Sequence, residues 1–311
     1  MVDTRHESLR PDGTSALANA SIIIPAYNEE SGIGQMLDSL CAHAELQDSE
    51  IIVVDDGSAD RTTEIAQCFA RVRLIRHVHN RGYGATISTG VKASSRPYVA
   101  WFDADGQHRV EDLLAVIQAL EANHWDYCIG VRDGRSCDVR SRRLGKFILK
   151  HTVNLVAGQP VKDFNSGLRA FRREVILPYL HLLPRGFGAS TTTTLLMLER
   201  RYSGGDVPIV VQPRVGKSSV NQVRDGLMTL LLLLRIFLLF KPLVFFGGIG
   251  MSLIVIGSIY GFYEAIRFRE GFPVFAALII ILGVQSFFFG LLSDQISTMR
   301  REKFEHPDTR T

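Results

Sequence analysis

The chain has 311 residues, 46% of them hydrophobic, and a formal net charge of +3. That length holds one large domain or two smaller ones with a sizeable core, and a charge so close to balance argues against a nucleic-acid partner. Cys41, Cys68, Cys128 and Cys137 form no CxxC pair and no cluster with histidine at metal spacing, which argues against a disulfide framework and predicts buried free thiols in a reducing compartment.

In chain order, residues 1–20 carry no apolar run of the kind a signal peptide needs and read as a disordered tail. The stretch 21-SIIIPAY-27 is a predicted strand, and 29-EESGIGQMLDSLCAHA-44 a helix. A second strand, 50-EIIVVDDGS-58, leads to a helix over 60–70 with acidic residues near its start. A third strand, 72-VRLIRHV-78, is followed by a helix from Gly82 to Lys92. The fourth strand, 98-YVAWFDAD-105, precedes a helix over 110–123, and 127-YCIGV-131 is a fifth strand. Continuous apolar strands spaced by single helices predict an α/β fold on a mostly parallel sheet covered on both faces. In such sheets ligands bind beyond the carboxyl ends of the strands. Three motifs fall there: PAYNEE at 25–30, DDGS at 55–58 and DADGQ at 103–107.

Composition changes after about residue 225. The stretch 227-LMTLLLLLRIFLLFKP-242 is apolar but carries Arg235 and Lys241; it reads as an interfacial helix, with a third membrane span as the alternative. Two uncharged stretches follow, 243–263 and 271–293, each longer than the roughly 20 residues a helix needs to cross a bilayer. Separated only by EAIRFRE, they predict a transmembrane hairpin over 243–294. Arg235 and Lys241 precede the hairpin, Arg300, Arg301 and Lys303 follow it, and its loop balances two Arg with two Glu. The positive-inside tendency then puts both the domain over 21–225 and the tail over 295–311 in the cytoplasm, making an integral protein of the inner membrane.

Asp103 and Asp105 pose a chemical question. Carboxylates at i and i+2 on an extended segment share a face and repel, so the pair needs a cation or a proton between its members. The plain alternative is a solvated acidic turn. Two other motifs fail on their spacing: 82-GYGATI-87 has Ile87 where GxGxxG needs glycine, and 216-GKSS-219 has Val211 where a phosphate-binding P-loop needs one.

PAYNEE at 25–30, DDGSADRT at 55–62, NRGYGATISTG at 80–90 and DADGQH at 103–108, in this order, resemble family-2 glycosyltransferases of the GT-A type, whose fold is Rossmann-like. With the hairpin, the chain resembles the polyprenyl-phosphate glycosyltransferases within that family. The segment 163-DFNSGLRAFRRE-174 is similar to their D-x-x-S-G-F/L segment, and 214-RVGKSS-219 to their basic R-x-G-x-S loop. The resemblance implies Mg²⁺ or Mn²⁺ at Asp103, Asp105 and Gln107, bridging the diphosphate of a UDP- or GDP-linked sugar. It implies a nucleotide and diphosphate site at Pro25, Tyr27, Glu29, Val54, Asp56, Asp103, Ala104 and Lys217. There Tyr27 would stack on the base, Asp56 accept from a base N–H and Glu29 from a ribose hydroxyl. Asn28 and Glu29 also suit capping of the next helix, and Gly57 and Ser58 read as turn residues.

Transfer to a hydroxyl needs a carboxylate base. The sequence has no QxxRW, the nearest being 222-QVRDG-226, and 186-GFGASTTTTL-195, where a base is expected, is neutral. A polyprenyl phosphate, undecaprenyl or dolichyl, is already anionic and needs cations to position it. The resemblance assigns Arg132 and Arg142 to that work, with Arg214 or Lys217 near the diphosphate or the acceptor, and Asp105 as catalytic residue. Arg140, Arg143 and Lys146 suit attraction to anionic headgroups equally well. Asp163 is open between contacting the sugar, orienting an arginine and capping a helix. The competing readings are a transferase to a lipid-linked glycan hydroxyl and a non-catalytic nucleotide-sugar-binding membrane protein; a homo-oligomer is compatible with each.

Overall fold

The computed structural model describes residues 17–133, 143–185, 188–212, 231, 234–269 and 271–302. The chain divides into two compact units, Met1–Gln222 and Val223–Thr311.

The first unit is built on a seven-stranded sheet of order β3-β2-β1-β4-β6-β5-β7. Its strands are β1 (Ala20–Ala26), β2 (Glu50–Asp55), β3 (Val72–Arg76), β4 (Tyr98–Trp101), β5 (Tyr127–Arg132), β6 (Arg169–Arg172) and β7 (Gly204–Ile209). β1, β2, β3 and β4 run parallel, as their apolar sequences and intervening helices require, while β6 lies antiparallel between β4 and β5. β6 and β7 were not legible as strands. β6 is four residues with arginine at each end, and β7 is an edge strand of alternating exposure that lacks an apolar run.

Alternation along β1 divides the core. Ile22, Ile24 and Ala26 pack with helices α1 (Ile33–Ala42) and α4 (Val110–Ala122), and with Ala66 of α2 (Thr62–Gln67). Ile23 faces the other way, onto α3 (Tyr83–Ala93): a Cβ at Gly90 would lie 2.3 Å from Ile23 Cγ2, so only glycine lets the helix settle this close. Each of the fully buried isoleucines Ile22, Ile23 and Ile24 contributes about 1.5–3 kcal/mol of transfer free energy. On that same face Trp101 stacks on Phe171 with ring centroids 5.1 Å apart. Two further helices complete the described part of the unit, α5 (Arg143–Ala157) and α7 (Ala189–Glu199), with a short α6 (Arg173–Ile176) between them.

Several predicted boundaries move. The helix expected from Glu29 starts at Ile33, and the strand expected through Asp105 ends at Trp101. In both cases residues at the strand end leave the regular element to make the contacts described below. Of the thiols expected to be buried, Cys128 is, and burial pushes it up to about 12. Cys41 is only half-buried, packed at the margin of the core, and Cys68 is exposed at the end of α2; Cys137 lies outside the described residues. Of the tail expected over 1–20, residues 1–16 also lie outside them, while Leu17 is buried and Ala20 already opens β1, because their apolar side chains join the core.

The second unit holds two long apolar helices, Pro242–Phe268 and Val274–Glu302, each long and apolar enough to cross a bilayer. They approach closely where glycines meet: a Cβ at Gly250 would lie 2.6 Å from Gly283 O. Ser286 Oγ donates to Phe246 O at 3.0 Å, and Phe246 packs edge-on against Phe289 at 4.9 Å. Ile259, Ile266, Phe288 and Leu292 project outward and are exposed. Residues 234–240 are helical, and Pro242 opens the first hairpin helix rather than closing the stretch before it. Proline suits a first helical turn because its missing N–H would have no partner there.

Candidate active site at the carboxyl ends of the strands

The loop after β1 and the turn after β2 form one interlocked wall. Asn28 takes a left-handed conformation, φ 54°, which asparagine tolerates. Its N–H donates to Ser58 Oγ at 3.0 Å, and its Oδ1 accepts from Ala59 N at 2.9 Å. Glu29 N donates to Thr62 Oγ1 at 2.8 Å, and Arg61 N donates to Glu30 Oε2 at 3.2 Å. Thus Asn28 secures the DDGS turn, and its side chain does not cap α1, whose N-cap is Gly32. Pro25 and Val54 are register partners and both buried, so they form the floor; Tyr27 is 47% exposed, its ring open to a stacking base. Gly57, at φ +73°, and the buried Ser58 shape the turn.

The two aspartates of DDGS have distinct work. Asp55 is fully buried; it accepts from Ser58 N at 3.0 Å and from the Thr63 hydroxyl. Asp56 accepts from Arg81 N at 2.9 Å, Gly82 N at 2.7 Å and His77 Nδ1 at 2.6 Å. With three donors of its own chain on two oxygens, Asp56 braces the β3–α3 loop, and a base N–H would be its fourth donor.

After β4 the chain turns through Asp103, Ala104 and Asp105. Asp103 Oδ1 accepts from Tyr83 Oη at 2.9 Å. A Cβ at Gly167 would lie 2.0 Å from Asp103 Oδ2, so the carboxylate rests on bare backbone. Burial, helped by the Asp105 carboxylate, pushes Asp103 above the usual carboxylate range against the opposing charge of His108 and Arg169. Burial and the Asp103 carboxylate hold the Tyr83 phenol well above its ordinary value, so it stays protonated and donates. Ala104 is buried, its carbonyl against Gly32. Asp105 Oδ1 accepts from Gln107 N at 3.1 Å, and Gln107 Nε2 donates to Gln212 O at 3.3 Å, leaving the Gln107 amide oxygen as its remaining polar group.

This donor set fits a small divalent cation. Two carboxylates and an amide oxygen are hard ligands, and the charges of His108 and Arg169 near Asp103 do not offset its burial. Among the described residues no group of three or more His, Cys, Asp or Glu gathers into a protein-only cage. Remaining ligands would come from water and substrate.

Beside the acid pair lies an unforeseen residue. Arg169 is fully buried at the start of β6, its guanidinium 5.5 Å over the Trp101 ring. It donates to Ser166 O, to Ser190 O at 2.8 Å, and to Thr193 Oγ1 and Thr194 Oγ1 at 2.8 and 3.2 Å. Burial pushes it down to about 10, against the acids Asp163 and Asp103 and the Tyr83 phenol. The neutral run at 190–194 is buried, and Ser190, Thr193 and Thr194 supply oxygens to this arginine. The sequence signals were slight: an arginine within 163-DFNSGLRAFRRE-174 and, well after it, an uncharged, hydroxyl-rich segment.

Arg132, at the end of β5, is gripped by Asp163. Arg132 Nε donates to Oδ2 at 2.7 Å and Nη2 to Oδ1 at 2.8 Å, a two-pronged pair. Burial would lift Asp163, but the hydrogen bonds and charge of Arg132 outweigh it and hold the carboxyl below its usual range. Of the three readings of Asp163, its contacts include orienting an arginine, while its Oδ1 also accepts from Asn165 N at 3.3 Å. Arg142, Arg214 and Lys217, with Arg140, lie outside the described residues, as do the side chains of Arg143 and Lys146.

Comparison with known proteins agrees with this geometry. Residues 21–179 match the model of glycosyl transferase family 2, and residues 241–299 match that of the GtrB C-terminal hairpin. Glycosyltransferase AglJ of Haloferax volcanii is 29% identical over 296 residues, covering 91% of this chain and 95% of that protein. The undecaprenyl-phosphate 4-deoxy-4-formamido-L-arabinose transferase of Yersinia pestis is 26% identical, covering 94% and 92%. The UDP-N-acetylglucosamine–dolichyl-phosphate N-acetylglucosaminyltransferase of Methanococcus voltae is 29% identical, covering 60% and 83%. Among solved structures, glucosyl-3-phosphoglycerate synthase from Mycobacterium tuberculosis, in complex with Mn²⁺, UDP and phosphoglyceric acid, superposes with a TM-score of 0.57 at 20% identity, covering 70% of this chain and 77% of that one. At that identity the likeness speaks for the fold alone. A GT-A sheet with three motifs at its carboxyl edge, followed by an apolar hairpin, places the chain in glycosyl transferase family 2.

Proposed function

We propose that the protein transfers a sugar from a UDP- or GDP-linked donor to a polyprenyl phosphate, undecaprenyl or dolichyl, with inversion at the anomeric carbon. The observation that carries the reading is the gathering of PAYNEE, DDGS and the Asp103–Asp105 pair at the ends of β1, β2 and β4 in a chain that also holds two bilayer-length apolar helices. Relatives named for undecaprenyl-phosphate and dolichyl-phosphate acceptors support the choice of acceptor. The hairpin would seat the enzyme in the inner membrane, with the catalytic unit on the cytoplasmic side.

Asp103 and Asp105, with Gln107, would hold Mg²⁺ or Mn²⁺, which when bound neutralises charge on the departing diphosphate. Tyr27 covers the base, and Glu29 accepts from the ribose. α7 opens Ala189-Ser190-Thr191 with no acid in its first turn, and the anionic phosphate oxygen needs none. Arg132, aimed by Asp163, supplies a fixed cation for the acceptor phosphate, with Arg142, Arg214 and Lys217 as further candidates. In-line attack opposite the diphosphate then needs only positioning and charge stabilisation. Incubating protein and donor with either undecaprenyl phosphate or undecaprenol tests this: transfer should require the phosphate. Efficient transfer to the free alcohol would overturn the reading and favour a hydroxyl acceptor, and failure to release nucleoside diphosphate with any donor would favour a non-catalytic binding protein.

A further inference from the structure

We propose that Tyr83 is a positioning residue of the acid pair, setting the rotation of the Asp103 carboxylate and so the strength with which the site holds its divalent cation. The inference rests on the metal reading of Asp103 and Asp105 given above. A carboxylate at the mouth of a sheet turns freely about its last bond unless neighbours stop it. Here both oxygens are located. Tyr83 Oη donates to Oδ1 at 2.9 Å, and Oδ2 lies where a Cβ on Gly167 would be 2.0 Å away. The phenol on one side and bare backbone on the other leave the carboxylate one orientation.

The phenol is itself held from two directions. Asp56 accepts from Arg81 N and Gly82 N, immediately before Tyr83. On the far side Arg185 O accepts from Gly84 N at 2.9 Å and Ala85 N at 3.3 Å. The first turn of α3 is therefore pinned between the DDGS motif and residue 185, and Tyr83 reaches Asp103 from a rigid base. The sequence motif NRGYG then has a physical purpose: it carries a fixed hydroxyl from the nucleotide wall to the acid pair. A buried phenol needs an acceptor in any case, so the test must separate packing from positioning.

Mn²⁺ binding to the full-length protein in detergent, followed by the electron paramagnetic resonance of the free ion without donor or acceptor, makes that separation. Tyr83→Phe should weaken Mn²⁺ binding by about tenfold, the equivalent of one charge-assisted hydrogen bond. In turnover, the Mn²⁺ concentration for half-maximal rate should rise more than the maximal rate falls. In an Asp103→Asn background, Tyr83→Phe should add less than about twofold, since the phenol acts through that carboxylate. Gly167→Ala, which leaves the phenol in place but crowds Oδ2, should weaken Mn²⁺ as well and keeps the question answerable if Tyr83→Phe folds poorly. Wild-type Mn²⁺ affinity in folded Tyr83→Phe, while Asp105→Asn has lost it, would overturn the inference. Wild-type affinity in Asp105→Asn would instead overturn the metal reading beneath it.

Discussion

Single carboxylates in this protein differ in what surrounds them, and that decides what each can do. Asp103 is lifted by burial and by Asp105, while Asp163 is held down by Arg132 despite burial. Asp105→Asn keeps the size of the side chain and removes a metal ligand. It should leave the fold intact, by circular dichroism and melting temperature, and lower transfer by on the order of a hundredfold or more in Mg²⁺ or Mn²⁺; retained turnover would sink the metal assignment. For Asp163 the sign follows from its lowered carboxyl. Its pairing stabilises the fold above the ordinary carboxylate pKa of roughly 3.9 and is lost as pH falls through the lower folded value. Asp163→Asn should therefore flatten the acid limb of stability, the wild-type melting temperature falling more steeply than the variant's below about pH 5. Matching acid limbs in the two proteins would deny the pair this role.

At the scale of elements, α3 is the member whose placement is most exacting. It packs on β1 through Gly90, and its first turn carries Tyr83 to Asp103. Gly90→Ala puts a methyl 2.3 Å from Ile23 Cγ2, where a fully buried strand residue has little room to yield. The change should cost about 1–3 kcal/mol, read as a lower denaturant midpoint with an unchanged slope. A midpoint equal to wild type would mean the helix shifts freely on the sheet. β6 was illegible for a related reason. Its antiparallel place between β4 and β5 is set by Trp101, Phe171 and the buried Arg169, contacts made across the sheet and invisible in a run of four residues.

Across the whole molecule, the three motifs and the acid pair lie within the unit over 1–222, and the apolar helices within that over 223–311. A protein truncated after residue 222 should fold and bind nucleotide with near wild-type affinity, by calorimetry. Its turnover of long-chain lipid in bilayers should fall by about tenfold or more, because the membrane no longer gathers enzyme and acceptor into one layer. Equal turnover on bilayer substrate would mean the hairpin has another purpose.

Local pattern made much of the fold legible before any contact was known. Apolar runs at strand and helix period named β1 to β5 and the helices between them, because burial on both faces leaves that periodicity in the chain. Uncharged length named the two hairpin helices, because a bilayer demands it. The motifs at the strand ends were legible as neighbours, since a parallel sheet brings those ends to one edge. The pairings emerge only once the chain is folded. That Asp56 braces the β3–α3 loop, that Asp163 grips Arg132, and that Arg169 is buried among the hydroxyls of α7 depend on groups far apart in sequence meeting at about 3 Å, the length of a hydrogen bond. A buried polar group must find its partner wherever the fold delivers one, and no periodicity records where that is.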